Sequence, residues 1–251
     1  MNLTKYPSLD NNHILITGGA TGIGADIVNS FADQNCLVTI IDIQDDAGNA
    51  LADQLGKNAD YVHCDLQNTE DIHHNVQSIA EQRGPISVLV NNAANDDRRP
   101  IESIDADYWD WSHRINVRSQ FFMAQAVYSS MKTLGEGSII NLSSIAWRLG
   151  IAELATYATA KAGILGLTQS LAREFGQHNI RVNAVEPGAV MTEKQRSLWY
   201  PTDADVNRMV ERQMLNTIVT GTDIARVVLF LASDDSSAIT GTSISVDAGF
   251  R

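Results

Sequence analysis

The sequence predicts an α/β fold: a single doubly wound domain with a seven-stranded parallel sheet and helices on both faces. Short apolar runs recur along the chain, beginning near residues 13, 37, 60, 86, 137, 180 and 243. Longer segments with helical periodicity lie between them, at 68–83, 105–133, 155–178 and 223–232. Such alternation is typical of a parallel sheet covered by helices. The 251 residues suffice for one domain of this kind, residues 1–251.

Composition narrows the class of protein. A formal net charge of −12 argues against a nucleic-acid-binding surface, which would be basic. The first ten residues are polar and no apolar run approaches 18 residues, so neither a secretion signal nor a membrane helix is expected. We therefore expect a cytoplasmic protein with no membrane partner. Cys36 and Cys64 fall in or beside predicted strands, which favours buried thiols over a disulfide. No metal site is predicted.

A glycine-rich turn follows the first predicted strand. Residues 13–17 lead directly into Gly18-Gly-Ala-Thr-Gly-Ile-Gly24, and a helical pattern follows. Glycines allow backbone amides to approach a pyrophosphate, and a helix N-terminus offers free N–H groups there. An ordinary glycine turn is the alternative. The context predicts a dinucleotide site formed by Gly18, Thr21, Gly22, Ile23 and Gly24.

The second predicted strand ends at Asp42, 18 residues after Gly24. A carboxylate at this offset can accept hydrogen bonds from both ribose hydroxyls, and it would repel a 2′-phosphate. No Arg or Lys occurs at positions 20–21 or 43–44 to offset that charge. We therefore predict NAD rather than NADP, bound by Asp42 with Ile43 beside it. A helix-capping or surface role for Asp42 is the alternative.

Tyr157 and Lys161 are four residues apart in a predicted helix, and Ser144 precedes Tyr157 by thirteen residues. Positions i and i+4 share one helix face. An ammonium beside a phenol lowers the pKa of the phenol, which makes Tyr a usable general acid or base. Taken alone, the pair could equally be a solvated helix face.

Several polar residues occur where predicted strands end, which is where ligands bind in parallel sheets. They are Asp42, Asp65, Asn91, Ser144 and the segment 186–188. Together with the glycine turn, Asn116 and the Tyr157/Lys161 pair, they resemble the short-chain dehydrogenase/reductase family from about residue 11 to residue 251. The resemblance implies a Rossmann fold, a nicotinamide cofactor, hydride transfer at a carbinol or carbonyl, and a homotetramer.

The resemblance also implies roles for individual residues. Tyr157 would move the substrate proton, Lys161 would lower the Tyr157 pKa and hold the nicotinamide ribose, and Ser144 would contact the reacting oxygen. Asn116 would anchor a water that passes the proton outward. Further cofactor contacts would come from Asp65, Leu66, Asn92, Ala93, Pro187, Gly188, Val190 and Thr192.

Two positions depart from the family pattern: Ala94 replaces a usual Gly, and Glu186 replaces a usual Asn before Pro-Gly. Glu186 could bond a polyhydroxylated substrate or cap a neighbouring loop. The polar segment 95–99 follows the fourth strand. It could contact the substrate, or it could be a solvated surface loop. The bacterial aldose 1-dehydrogenases of the family are what four stretches resemble: 92–98, Trp147 with Leu149-Gly150, 198–200 and 246–251. That resemblance implies NAD-dependent oxidation of a pentose or galactose at C1 to an aldonolactone, with substrate contacts from Asn95, Ser144, Trp147, Tyr157, Glu186 and Trp199.

Residues 189–215 show no clear strand and carry an aromatic run, which predicts a lid over the substrate. A surface excursion packed on the core is the alternative. For function, the alternative is a short-chain dehydrogenase acting on a polyol, a secondary alcohol or a 3-hydroxyacyl substrate. A nucleotide-binding protein without activity is disfavoured by the intact Ser144, Tyr157 and Lys161.

Overall fold

A computed structural model describes residues 4–251. Its strands form one sheet of seven, in the order 3-2-1-4-5-6-7, and every neighbouring pair is parallel. The predicted fold class is confirmed. The strands are β1 (His13–Thr17), β2 (Leu37–Asp42), β3 (Ala59–His63), β4 (Val88–Asn91), β5 (Gly137–Leu142), β6 (Ile180–Pro187) and β7 (Ser243–Val246).

Helices cover both faces of the sheet. They are α1 (Gly22–Ala32), α2 (Asp45–Leu55), α3 (Thr69–Arg83), α4 (Ala106–His113), α5 (Ser119–Leu134), α6 (Ala146–Leu149), α7 (Ala155–Phe175), α8 (Glu193–Leu198), α9 (Asp203–Val210) and α10 (Gly221–Ala232). Apolar side chains of α1, α2 and α10 share one core, while those of α3, α5 and α7 share the other. Within residues 4–251, no helix combines the length and the apolar character needed to cross a membrane.

The strands supply both cores because their side chains alternate. In β1, Ile14 and Ile16 face the core with α1 and α10, whereas Leu15 faces the core with α3 and α5. All five residues of β1 are buried. Burial on both faces is why a central parallel strand is a continuous apolar run rather than an alternating one.

The strand order reverses between β1 and β4, and a crevice opens there at the carboxyl ends of the strands. Asn92 joins the two strand ends: its Nδ2 donates to Thr17 O over 3.1 Å and to Gly18 O over 2.8 Å. Its backbone N–H donates to Thr17 Oγ1 over 3.0 Å. These bonds fix the glycine turn against β4, so the crevice has a rigid floor.

One predicted helix, at 105–133, is interrupted. The structure has α4, then a π-helical turn at Arg114–Arg118, then α5. A π turn widens a helix and is often found at functional sites. Asn116 lies inside it, is fully buried, and donates from Nδ2 to Ser112 O over 2.9 Å. The interruption thus turns this polar side chain toward the interior.

Candidate active site

The glycine turn is packed too tightly for side chains. Gly18 has φ +63°, and a Cβ on it would lie 2.7 Å from Ala93 Cα. A Cβ on Gly24 would lie 1.9 Å from Gly18 O and 2.7 Å from Asn92 Nδ2. Gly22 and Ile23 open α1, and Thr21 is the residue before it. The first-turn amides of α1 therefore face the crevice, and this cradle fits a dinucleotide phosphate.

Asp42 is buried at the end of β2 and held by three backbone donors. Its Oδ2 accepts from Ala20 N over 3.0 Å, and its Oδ1 accepts from Ile43 N over 2.7 Å and from Gln44 N over 3.1 Å. A carboxylate has about four acceptor sites, so capacity remains for a ribose hydroxyl. The capping and the ribose interpretations of Asp42 are therefore compatible. Ile43 is 60% exposed beside it, which offers an apolar surface at the same edge.

The other predicted cofactor residues lie at or just after the ends of β3, β4 and β6. Asp65 Oδ1 accepts from Gln67 N over 3.0 Å, and Leu66 is buried in the core with α3. Ala93 N donates to Thr17 Oγ1 over 3.2 Å. Beyond β6, the residues Pro187, Gly188, Val190 and Thr192 line a cavity that continues the crevice. The expected contacts with a cofactor remain predictions, and the geometry is compatible with them.

The helix α7 places Tyr157 and Lys161 on one face, as their spacing predicts. Lys161 is 1% exposed, and its Nζ donates to Leu142 O over 2.7 Å. Nζ lies 5.5 Å from the centroid of the Tyr157 ring. Burial disfavours the ammonium and lowers the Lys161 pKa to about 7, although the negative charge of Asp96 opposes this.

The Tyr157 pKa differs from the expectation. Burial of the phenol raises its pKa, the negative charge of Asp96 raises it further, and a hydrogen bond with Ser144 works in the opposite direction. Lys161 does not contribute the expected lowering, because burial disfavours its own ammonium. In this structure Tyr157 is therefore a protonated phenol at neutral pH.

Ser144 is positioned by the end of β5. Its Oγ accepts from Ala146 N over 3.1 Å, and Ser144 lines the same cavity as Tyr157. The preceding Ser143 is buried, and its Oγ donates to Lys161 O over 2.7 Å. Adjacent serines therefore have different partners: Ser144 faces the Tyr157 phenol, and Ser143 ties β5 to α7.

Asn116 contacts the segment after β4 rather than the phenol. Its Oδ1 accepts from Asn95 N over 2.9 Å, and its Nδ2 donates to Asn95 O over 3.0 Å. These two hydrogen bonds fix the backbone where the polar segment 95–99 begins. The water-anchoring role of Asn116 stays a prediction. In addition, its contacts with Asn95 position the backbone that leads into the cavity wall.

A cavity of about 370 Å³ lies above the predicted catalytic residues. Ser144, Tyr157 and Lys161 line it together with polar and apolar side chains. The polar ones include Asp96, Arg98, Gln195, Tyr200 and Arg212, and the apolar ones include Ile145, Leu149, Ile151, Leu154 and Phe250. Gln195 in α8 and Tyr200 just after it bring the segment 189–215 onto the cavity wall, as a lid requires.

Four predicted substrate residues have other contacts and are not part of this wall. Trp147 Nε1 donates to Glu186 Oε2 over 2.7 Å, and Glu186 is buried. Asn95 bonds Asn116 through its backbone, and its Oδ1 accepts from Asp97 N over 2.8 Å. Trp199 carries the guanidinium of Arg98 at 3.7 Å from its ring centroid. A direct role for these four in binding substrate stays a prediction.

Several wall residues were missed from the sequence. Arg98 and Asp96 lie inside the polar segment 95–99, and Gln195 lies in the predicted lid, so both segments reach the cavity through residues that the sequence did not single out. Arg212 also lies in the predicted lid, and only the tertiary fold brings it to Phe250, with the Arg212 guanidinium 4.6 Å from the Phe250 ring centroid.

Known proteins are similar to this chain in sequence and in fold along almost its whole length. A family profile described as enoyl-(acyl carrier protein) reductase matches residues 18–251. A probable galactose dehydrogenase of Rhizobium meliloti is 43% identical over 250 residues, covering 98% of this chain and 97% of that protein. A D-xylose 1-dehydrogenase of Caulobacter vibrioides is 42% identical over 254 residues, covering 100% of both chains.

A solved structure agrees with the sequence comparisons. It is described as a short-chain alcohol dehydrogenase from Sinorhizobium meliloti, and it superposes with a TM-score of 0.90 at 32% identity. The match covers 97% of this chain and 98% of the other. Since a family profile covers most of the chain and relatives at 42–43% identity span nearly all of it, the chain belongs to the short-chain dehydrogenase/reductase family of nicotinamide-dependent oxidoreductases.

Proposed function

We propose that the protein oxidises the C1 hydroxyl of an aldose, a pentose or galactose, to the aldonolactone with NAD as the hydride acceptor. The observation that carries the proposal is the cavity above Tyr157 and Ser144, whose wall presents Asp96 and Arg98 together. A sugar needs acceptors and donors of this kind for its hydroxyls. The names of the two relatives at 42–43% identity support a sugar substrate.

The chain's own residues account for the proton. Tyr157 acts as the general base after its phenol has released its own proton to water: the phenolate takes the proton of the C1 hydroxyl, and Ser144, on the same cavity wall, holds the same substrate oxygen. Lys161, whose Nζ lies 5.5 Å from the centroid of the phenol ring, would stabilise this phenolate and would hold a ribose hydroxyl of the cofactor. When bound, the nicotinamide supplies a C4 position that accepts the hydride from C1. Loss of one proton and one hydride converts the hemiacetal carbon of the sugar to the lactone carbonyl.

The choice of NAD over NADP rests on Asp42. Its carboxylate is fixed at the end of β2 by Ala20, Ile43 and Gln44 and retains the capacity to accept from ribose hydroxyls. A 2′-phosphate at the same place would meet a buried negative charge. We therefore propose NAD as the physiological cofactor.

A second candidate is a short-chain dehydrogenase for a secondary alcohol with an apolar substituent, or for a polyol or 3-hydroxyacyl substrate. Leu149, Ile151, Leu154 and Phe250 form an apolar part of the cavity wall, which suits a hydrocarbon group. The same Ser144, Tyr157 and Lys161 would serve either substrate, so only the pocket distinguishes them.

A homotetramer and residence in the cytoplasm belong to the same proposal. The α4–α5 region exposes large apolar side chains, with Trp109 42% exposed and Phe121 39% exposed. Exposed apolar surface of this kind is typical of subunit interfaces. Cys36 and Cys64 are free, buried thiols, which is compatible with a reducing compartment.

The test is reduction of NAD and of NADP by the purified protein with a panel of aldoses, polyols, secondary alcohols and 3-hydroxyacyl thioesters. We expect NADH formation with a pentose or galactose, little with NADP, and none with Tyr157→Phe. The Tyr157→Phe protein should still bind NAD. Activity with alcohols or acyl thioesters but not with aldoses would replace the proposal by the second candidate.

A further inference from the structure

Arg98 is presented to the cavity on an aromatic support. Its guanidinium carbon lies 3.7 Å from the centroid of the Trp199 ring, and the residue lines the cavity that contains Ser144 and Tyr157. Stacking fixes the plane of a guanidinium and leaves its N–H edge able to donate. Arg98 is therefore oriented by the protein before any ligand is bound.

The donors of Arg98 are not all used by the protein. Its Nε is buried and has no hydrogen-bond acceptor among residues 4–251. The next residue, Arg99, is different: its Nε donates to Asp97 Oδ2 over 3.1 Å, and its guanidinium lies over the Tyr108 ring. A buried donor without an acceptor costs folding free energy, so its presence on a cavity wall indicates that a ligand supplies the acceptor.

Asp96 supplies the matching acceptor on the same wall. Its carboxylate is held from the lid by Lys194, and its Oδ2 accepts from Gln195 Nε2 over 3.1 Å. A donor and an acceptor side by side match a hydroxyl, which can accept and donate at once. The pair can therefore bind one hydroxyl through both its oxygen and its proton.

We propose that Arg98, with Asp96 as its paired acceptor, recognises a hydroxyl of the sugar other than the reacting one at C1. This assignment rests on the proposed function, since it requires an aldose in the cavity. Trp199 then acts as a positioning residue: it orients Arg98 and does not itself contact the sugar.

The experiment combines variants of the enzyme with deoxy analogues of the preferred aldose, each lacking one hydroxyl. Arg98→Gln is compared with Arg99→Gln, the matched control outside the cavity, and kcat and KM are measured for every pair. We expect kcat/KM of Arg98→Gln with the intact sugar to fall about 10- to 100-fold, because a hydrogen bond to a charged donor is lost. Arg99→Gln should keep the wild-type value.

The analogues identify the hydroxyl concerned. For one position, removal of the hydroxyl should lower kcat/KM of the wild type strongly but that of Arg98→Gln only slightly, since the partner is already gone. Trp199→Leu should likewise reduce the kcat/KM penalty for removing that hydroxyl, mainly through KM. Trp199 Nε1 has no hydrogen-bond partner in the described chain, so this variant removes only the ring.

Equal penalties for every deoxy position in wild type and Arg98→Gln, in proteins with unchanged circular dichroism, would overturn the assignment of Arg98. This result presupposes turnover of aldoses by the wild type. Absence of that turnover is a failure of the proposed function, and the two failures are thus distinguished.

Discussion

Trp147 Nε1 donates a hydrogen bond to Glu186 Oε2 over 2.7 Å, and this bond links the segment after Ser144 to the end of β6. Glu186 is 4% exposed, so its carboxylate depends on protein donors. The neighbouring backbone reinforces the link, since Ile145 N donates to Pro187 O over 3.2 Å. The departure from the family pattern at position 186 therefore stabilises the turn that carries Ser144.

Trp147→Phe tests this link. The substitution keeps an aromatic ring but removes the donor, and a buried carboxylate left without it costs about 1–3 kcal/mol of unfolding free energy. We expect lower stability in denaturant and a kcat reduced about tenfold. A less firmly positioned Ser144 would raise the activation free energy by about 1.4 kcal/mol, which corresponds to that factor in rate. The dissociation constant for NAD should not change.

The control for Trp147→Phe is Trp109→Phe. Trp109 is 42% exposed and stacks on His113, away from the cavity. It should keep the wild-type kcat. If both variants lose turnover equally, or neither does, Trp147 has no specific part in positioning Ser144.

Asp42→Ala is expected to weaken NAD binding and to relax the discrimination against NADP. The carboxylate that would accept from the ribose is lost, and with it the charge that would repel a 2′-phosphate. Loss of hydrogen bonds to a charged acceptor predicts a rise in KM for NAD of about 10- to 100-fold. Initial rates with both cofactors at saturating sugar measure the change.

A second variant separates local from general charge effects. Asp46→Ala removes an equal charge from the exposed start of α2. The KM values for NAD and for NADP should be unchanged in this variant. An NAD/NADP ratio that is the same in wild type and Asp42→Ala would remove Asp42 from the cofactor site.

The sequence was sufficient for the parts of the protein that depend on local pattern. The strand–glycine–helix order from 13 to 32 and the spacing of Tyr157 and Lys161 are properties of adjacent residues, and the structure has both. The direction of the Tyr157 pKa was wrong, because it depends on burial and on Asp96, which lies far away in the chain. The hydrogen-bond partner of Glu186 could not be predicted from local pattern either, because Trp147 is 39 residues distant in the chain. Contacts of this kind are decided by tertiary packing.

Gly24→Ala is expected to damage the cofactor cradle. The new methyl carbon would lie 1.9 Å from Gly18 O and 2.7 Å from Asn92 Nδ2, so the turn must move away from β4. Overpacking of this degree costs about 1–3 kcal/mol, and the amides at the start of α1 lose their alignment. Calorimetric titration with NAD should show binding weakened or lost, together with a lower unfolding midpoint.

Gly166→Ala provides the comparison for Gly24→Ala. A Cβ at Gly166, in the interior of α7, meets no atom within 4 Å among the described residues. Alanine is favoured over glycine inside a helix by about 1 kcal/mol, so this variant should be as stable as wild type or more so. A Gly24→Ala protein that binds NAD normally would contradict the cradle at residues 18–24.

Lys161 makes the stability of the protein depend on pH. Burial lowers its pKa from 10.5 in the unfolded chain to about 7 in the folded one. Between these values the unfolded chain binds a proton that the folded chain does not, so this group makes the free energy of unfolding rise with pH across the window. Below pH 7 both states are protonated, and the full cost of burying the ammonium is present.

Lys161→Met removes that titration. The difference in unfolding free energy, wild type minus variant, should therefore increase from pH 7 toward pH 10.5 and be flat below pH 7. Denaturant unfolding of both proteins across this range measures it, and the loss of the bond to Leu142 O adds only a constant offset. Lys132→Met, at an exposed lysine of α5, should give a flat difference throughout. A flat difference for Lys161→Met too would mean that Lys161 stays protonated in the folded protein. The ammonium would then be available to stabilise a Tyr157 phenolate at every pH at which the enzyme is assayed.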